Sequence, residues 1–195
     1  MFAHNSFVSE VLRALMVLVL LTFLVGLAYP LLITGVGHVF FPKRVAGSLV
    51  YSSTGQVTGS MLIGQAVNAP NDFWGRPSAS DYSPLGSGGS NLGPTNPQLL
   101  KNIQTQIAIL QKANPQQTGP IPIDLVTASG SGLDPDISVA AAQYQAQRVA
   151  SARHLSLQKV NALITQNTQA RGWGVLGEPV VNVMQLNQAL AQVAP

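Results

Sequence analysis

The chain has 195 residues, no cysteine, three histidines, and ten basic against seven acidic side chains; its formal net charge is +3, with only 9% of residues charged. Disulfides, thiolate-held zinc and iron–sulfur clusters are excluded. So thin a positive charge, with no run of Lys or Arg, also excludes the concentrated footprint that a nucleic acid needs. The length suits one ordinary domain plus an appendage.

Between Arg13 and Lys43 there is no Asp, Glu, Lys or Arg. At ~1.5 Å per residue, about 20 helical residues cross a ~30 Å hydrocarbon core while satisfying every backbone amide internally. A transmembrane helix is therefore expected over 14–36, after a short N-terminus (1–13) and before a juxtamembrane segment (37–44). Tyr29, Phe40 and Phe41, with Lys43 and Arg44 beside them, have interfacial character, and Pro30 is tolerated as a kink near the end. A cleaved signal peptide is the rival reading, since Gly26-Leu27-Ala28 offers small residues at a cleavage position; the apolar run continues beyond it to Val39, which favours an uncleaved anchor. Arg13 on one side and Lys43 with Arg44 on the other leave orientation undecided by charge.

The remainder, 45–195, reads as one soluble α+β domain. Leu49–Tyr51 and Val57–Ile63 flank Ser52–Gln56, a hairpin pattern. Residues 76–97 follow, RPSASDYSPLGSGGSNLGPTNP, of which 13 of 22 are Gly, Pro or Ser, so neither helix nor strand is expected. Yet Tyr82, Leu85 and Leu92 give it apolar pegs that a mere linker has no use for. Asn96 then caps a helix with Pro97 at its first position, and Leu100, Ile103, Ile107 and Leu110 form one apolar stripe, expected to meet the core. Ile121–Val126 resembles a short strand, and 128–137 a second loop. Ser138 caps an Ala-rich helix to about Arg153, and Ser156 starts another, stopped by Gly172. Val180–Val183 suggests a strand, with Asn182 and Gln185 as the capping pair of a final short helix.

Chemistry is scarce. No Walker-type phosphate loop and no nucleophile elbow occur. Gly172, Gly174 and Gly177 have dinucleotide-loop spacing, but they follow a helix and precede a strand, the reverse of what that motif needs. His4, His38 and His154 share no ligand spacing. Asp134 and Asp136 are explained by the macrodipole of the helix after them. No catalytic or metal-binding residue is assigned. Two long polar loops on a single-span chain, and small residues (Gly26, Ala28, Gly35, Gly37) in its membrane helix, fit a subunit of a larger membrane complex.

Several motifs together, GSMLIGQ (59–65), RPSASDY (76–82), SGGSNLGPTNP (87–97), DLVTASGSGLDPDIS (124–138) and RVASAR (148–153), resemble the C subunit of the Kdp-type potassium-transporting ATPase of bacteria over nearly the whole chain. Asp136 departs from the family pattern, which carries His there in many members. The resemblance implies an accessory, non-catalytic subunit of a P-type, high-affinity potassium import complex. Its partners are a channel-like subunit, an ATP-hydrolysing subunit and a very small one-helix subunit. Its place is the cytoplasmic (inner) membrane, with residues 1–13 inside and 45–195 outside. ATP and potassium are engaged through the complex, and a family-level proposal has this subunit raise the ATP affinity of its catalytic partner. Arg76, Pro77, Ser78, Tyr82, Ser90, Asn91, Leu92, Asn96, Asp124, Thr127, Ser129, Ser131, Asp134 and Pro135 are the implied interface or structural residues of the two loops. The alternative from another class is an exported, signal-peptide-cleaved enzyme or binding protein unrelated to transport.

Overall fold

A computed structural model describes residues 3–52 and 54–193 and divides the chain into two compact units, 1–48 and 49–195. The first unit is helical. Helix α1 (Ala3–Phe23) passes through a π-helical turn, Leu24–Ala28, into α2 (Tyr29–Phe40), and α3 is the single turn Pro42–Val45. The wide turn lies just before Pro30, whose ring nitrogen cannot donate to the preceding turn, and the Tyr29 amide reaches back to the Leu24 carbonyl. From Phe7 to Phe40 the helix is long and apolar enough to cross a bilayer, and none of its most apolar stretch is buried by protein.

The second unit is α+β. An antiparallel hairpin, β1 (Leu49–Tyr51) and β2 (Val57–Ser60), stands apart from an antiparallel three-stranded sheet of order β3 (Asp136–Ser138), β5 (Val180–Asn182), β4 (Thr168–Gln169). Four helices accompany them: α4 (Pro97–Ala113), α5 (Val139–Ala152), α6 (Leu157–Gln166) and α7 (Val183–Val193). Helix α5 is the axis of the core. Its alanines 141, 142, 146 and 150 let neighbours approach closely, and Val160, Ile164, Leu186, Leu190, Ile137, Val181 and Phe73 join its own Val149 in the core. Each such large side chain contributes about 1.5–3 kcal/mol.

The caps follow the expected chemistry. The side chains of Asn96, Ser138, Ser156 and Asn182 accept from the amides of Gln98, Ala141, Lys159 and Gln185. Three expectations are corrected. Ile121–Val126 is not a strand: Pro120 and Pro122 remove ladder donors, and Ile123–Leu125 winds into a 3₁₀ turn closed by the Leu125 amide on the Pro122 carbonyl. The α4 stripe is not a core seam: Leu110 alone of the four is buried, and Leu100 is exposed. The helix begun at Ser156 stops at Gln166, before Gly172, because Asn167 turns its amides back on the last turn and β4 starts beyond it.

Candidate functional site

The motif loops are positioned from α5. Gln145, fully buried, turns both ends of its amide to Trp74: Oε1 accepts from the Trp74 amide at 2.8 Å, and Nε2 donates to the Trp74 carbonyl at 3.1 Å. Asn187 on α7 does the same for Phe73, at 2.7 and 2.9 Å. Two side-chain amides thus replace a neighbouring strand for these two residues, satisfying backbone groups that burial would otherwise leave costly. Arg148 donates to the carbonyls of Pro70 and Asp72 and to Gln145 Oε1, and its guanidinium lies 4.3 Å from the Trp74 ring centre. Burial lowers the Arg148 pKa to about 10, and the charge of Asp72 pulls the other way. Arg153 holds the Asn71 carbonyl and the Asp72 carboxylate. Segment 70–74 is therefore strapped to the core just before the first motif loop begins.

From Arg76 onward that loop is fastened to the second one, chiefly through main-chain groups. The Ser129 amide donates to the Pro77 carbonyl, the Gly88 amide and Ser87 hydroxyl both donate to the Ser131 carbonyl, and the Ser78 hydroxyl donates to the Gly132 carbonyl at 2.7 Å. The Gly64 amide joins from the GSMLIGQ segment by donating to the Leu133 carbonyl. Ser78 also accepts from the amides of Ser80 and Tyr82, and the Tyr82 hydroxyl donates to the Arg76 carbonyl. Burial raises the Tyr82 pKa. Arg76 Nη1 meets Asp134 Oδ2 at 3.1 Å, with both side chains partly exposed.

Glycine is required where the loops meet. A Cβ on Gly132, whose φ is +69°, would run into Ser80 and the Gly88 carbonyl; one on Gly64 would lie 2.5 Å from the Asp134 carbonyl oxygen.

The structure thus brings Arg76, Pro77, Ser78, Tyr82, Ser129, Ser131, Asp134 and Pro135 together. Pro135 belongs through its carbonyl, which accepts from the Val183 amide at the start of α7. Asp124 stands behind this group, not in it: its carboxylate takes the amide and hydroxyl of Ser138 at 2.7 and 3.2 Å. Asp134 and Asp136 are accordingly not helix-end acids as expected. Asp134 pairs with Arg76, while Asp136 lies in β3 and accepts from Asn182 Nδ2 at 3.0 Å. The Asp136 pKa is raised, first by loss of solvent; the Asn182 hydrogen bond opposes this, and the Asp134 charge adds to it. Thr127 bonds only locally, to the Ile123 carbonyl, and Asn96 caps α4. Ser90, Asn91 and Leu92 form a turn of their own, with exposed Asn91 at φ 52°.

Leu85 and Trp173 are the most exposed large apolar side chains among the described residues. Leu85, at the tip of the first loop, is 98% exposed. A tight turn between β4 and β5, closed by reciprocal Gly172–Leu176 main-chain bonds, holds Trp173 at 93% exposure with Val175 and Leu176 beside it. This turn is the GWGVLG stretch. A cleft of about 580 Å³ lies beside the first loop, lined by Trp74, Ser78, Asp81 and Tyr82 with Ile109 and Leu110 of α4. Among the described residues no group of three or more His, Cys, Asp or Glu side chains is placed to hold a metal ion.

Residue reading alone missed Gln145, Arg148 and Asn187 as the straps. Gln145 was findable: it occupies an inward position of the Ala-rich helix, between Ala141 and Val149, where an amide needs a backbone partner.

A membrane-length apolar helix followed by an α+β domain, with two loops laced into one surface, fits a single-pass membrane protein. The profile of the family described as "K+-transporting ATPase, c chain" (KdpC) matches residues 11–192. The chain is 56% identical over 186 residues to the "Potassium-transporting ATPase KdpC subunit" of Methylibium petroleiphilum, covering 93% of this chain and 97% of the relative. Relatives with the same description from Polynucleobacter asymbioticus and Variovorax paradoxus are 54% and 53% identical, over 88% and 93% of this chain and 92% and 96% of theirs. The chain belongs to the KdpC family of potassium-transport subunits.

Proposed function

We propose that this chain is an accessory, non-catalytic subunit of a high-affinity, ATP-driven potassium import complex, anchored in the bacterial cytoplasmic membrane with residues 1–13 inside and the α+β domain outside. The laced face of loops 76–97 and 127–138 is its docking surface for a channel-like potassium-selecting subunit. The ATP-hydrolysing and one-helix subunits complete the assembly, and ATP and potassium are handled by those partners.

The observation that carries this reading is the lacing itself. Two segments rich in Gly, Ser and Pro are held in one shape by main-chain and serine-hydroxyl hydrogen bonds between them. A surface ordered in advance lowers the entropy cost of association. Leu85, with almost no cover of its own, supplies an apolar anchor at its edge.

The test is purification of the tagged full chain in mild detergent from cells grown at low potassium. Co-purification of the other subunits, and loss of high-affinity uptake when the chain is deleted, are expected. Normal uptake without it would overturn the proposal.

A further inference from the structure

We infer that the outer face of the β1–β2 hairpin is a membrane-contact surface, resting in the headgroup layer of the bilayer through Leu49, Tyr51 and Val57. In β1 the side chains alternate outward, inward, outward: Val50 is 5% exposed, whereas Leu49 is 41% and Tyr51 55% exposed. Across the ladder Tyr51 pairs with Val57, itself 56% exposed. The outer face thus carries three exposed apolar side chains, with Ser60, the partner of Leu49, buried beside them, where a strand pair washed by water on one side carries polar residues.

Three observations select lipid as the occupant. First, only residues 41–48 separate the membrane-length helix from Leu49, and part of that stretch is already wound up: Pro42–Val45 is helical, and the amides of Ala46, Gly47 and Ser48 turn back onto Pro42, Arg44 and Lys43. The connection is therefore a short covalent tether between the anchor and the hairpin. Second, no Asp, Glu, Lys or Arg occurs between Arg44 and Asp72, so approach to the interface strips water from no charge. Third, Lys43 and Arg44 stand just before this stretch, where ammonium and guanidinium groups meet lipid phosphates, and Tyr51 supplies the amphipathic ring that prefers the interface.

The inference rests on the membrane-anchor reading, and the experiment separates the two. The chain has no native cysteine, so single cysteines in the full chain can carry an environment-sensitive fluorophore. Tyr51→Cys and Val57→Cys sample the two strands, and Leu18→Cys samples the anchor. Each labelled chain is reconstituted into phosphatidylethanolamine–phosphatidylglycerol vesicles, with or without lipid bearing a nitroxide near the top of the acyl chain or deep within it. Circular dichroism checks that each variant keeps its secondary structure. Expected is loss of fluorescence at Tyr51 and Val57 with the shallow nitroxide, and at Leu18 with the deep one. Quenching at Leu18 without quenching at either hairpin site overturns the inference and leaves the anchor standing; no quenching at Leu18 overturns the anchor. Shielding of the hairpin labels that appears only when other subunits are added also overturns the inference, in favour of a protein partner.

Discussion

Replacing Gly132 by Ala tests whether the two motif loops are one rigid surface. Gly132 has φ +69°, a conformation that costs an L-residue roughly 1–2 kcal/mol. The new methyl would sit 2.9 Å from the Gly88 carbonyl oxygen and 3.2 Å from Ser78 Oγ, so the loops must part. Losing one bond of the lacing, such as that from Ser78 to the Gly132 carbonyl, adds about 1 kcal/mol. The sum is a destabilisation of about 2–3 kcal/mol. Gly130→Ala is the matched control: same loop, same substitution, but nothing lies within 4 Å of its Cβ and its φ is not positive. Its cost is at most about 0.5 kcal/mol. Thermal unfolding of the full chain in detergent, followed by near-ultraviolet circular dichroism, reads both. Equal shifts for the two variants would refute the lacing argument.

Four further outcomes are expected. Leu85→Ser leaves unfolding within about 0.5 kcal/mol of the parent, because the side chain touches almost nothing, yet it weakens recovery of the other subunits in a pull-down. Arg148→Ala removes bonds to two carbonyls and to Gln145, together with the guanidinium stacked on Trp74; it costs about 2–4 kcal/mol and red-shifts Trp74 fluorescence, measured in a Trp173→Phe background. Asp134→Ala breaks a partly exposed ion pair with Arg76; it costs about 1 kcal/mol or less, and denaturation midpoints of parent and variant should converge as salt rises. For Asp136 the raised pKa means the folded protein holds the proton more tightly than the unfolded chain, so ionisation costs stability as pH rises from the ordinary value of 3.8 through the folded value. Asp136→Asn should therefore stabilise at neutral pH, with the gain vanishing below about pH 4, as melting temperature against pH will show.

Elements governed by local chemistry were legible in the sequence. Asn96-Pro97, Ser138 and Ser156 each set a helix start through their own side chains, and the long uncharged run ahead of Lys43 announced the anchor. Elements set by distant partners were not. Asp136–Ser138 is a strand because Val180–Asn182 pairs with it across more than forty residues of chain, and a stretch with Pro on one side and a helix cap on the other gives no local sign of that. The α4 stripe has helical spacing, but spacing alone does not say how deeply each position is covered, and here Leu110 is buried while Leu100 is exposed. The loop motifs marked two segments that the fold laces together. They did not show that serine hydroxyls and bare carbonyls join them, because such bonds leave no periodicity to read.

The account depends most on the loop face holding other subunits while contributing to its own fold separately. The direct measurement compares the parent with a Leu85→Ser, Asn91→Ala double variant in the same detergent extract, scoring subunit recovery and melting temperature together. Lost recovery at unchanged melting temperature is the predicted result; full recovery of the complex by the double variant, or a matching fall in melting temperature, would contradict it.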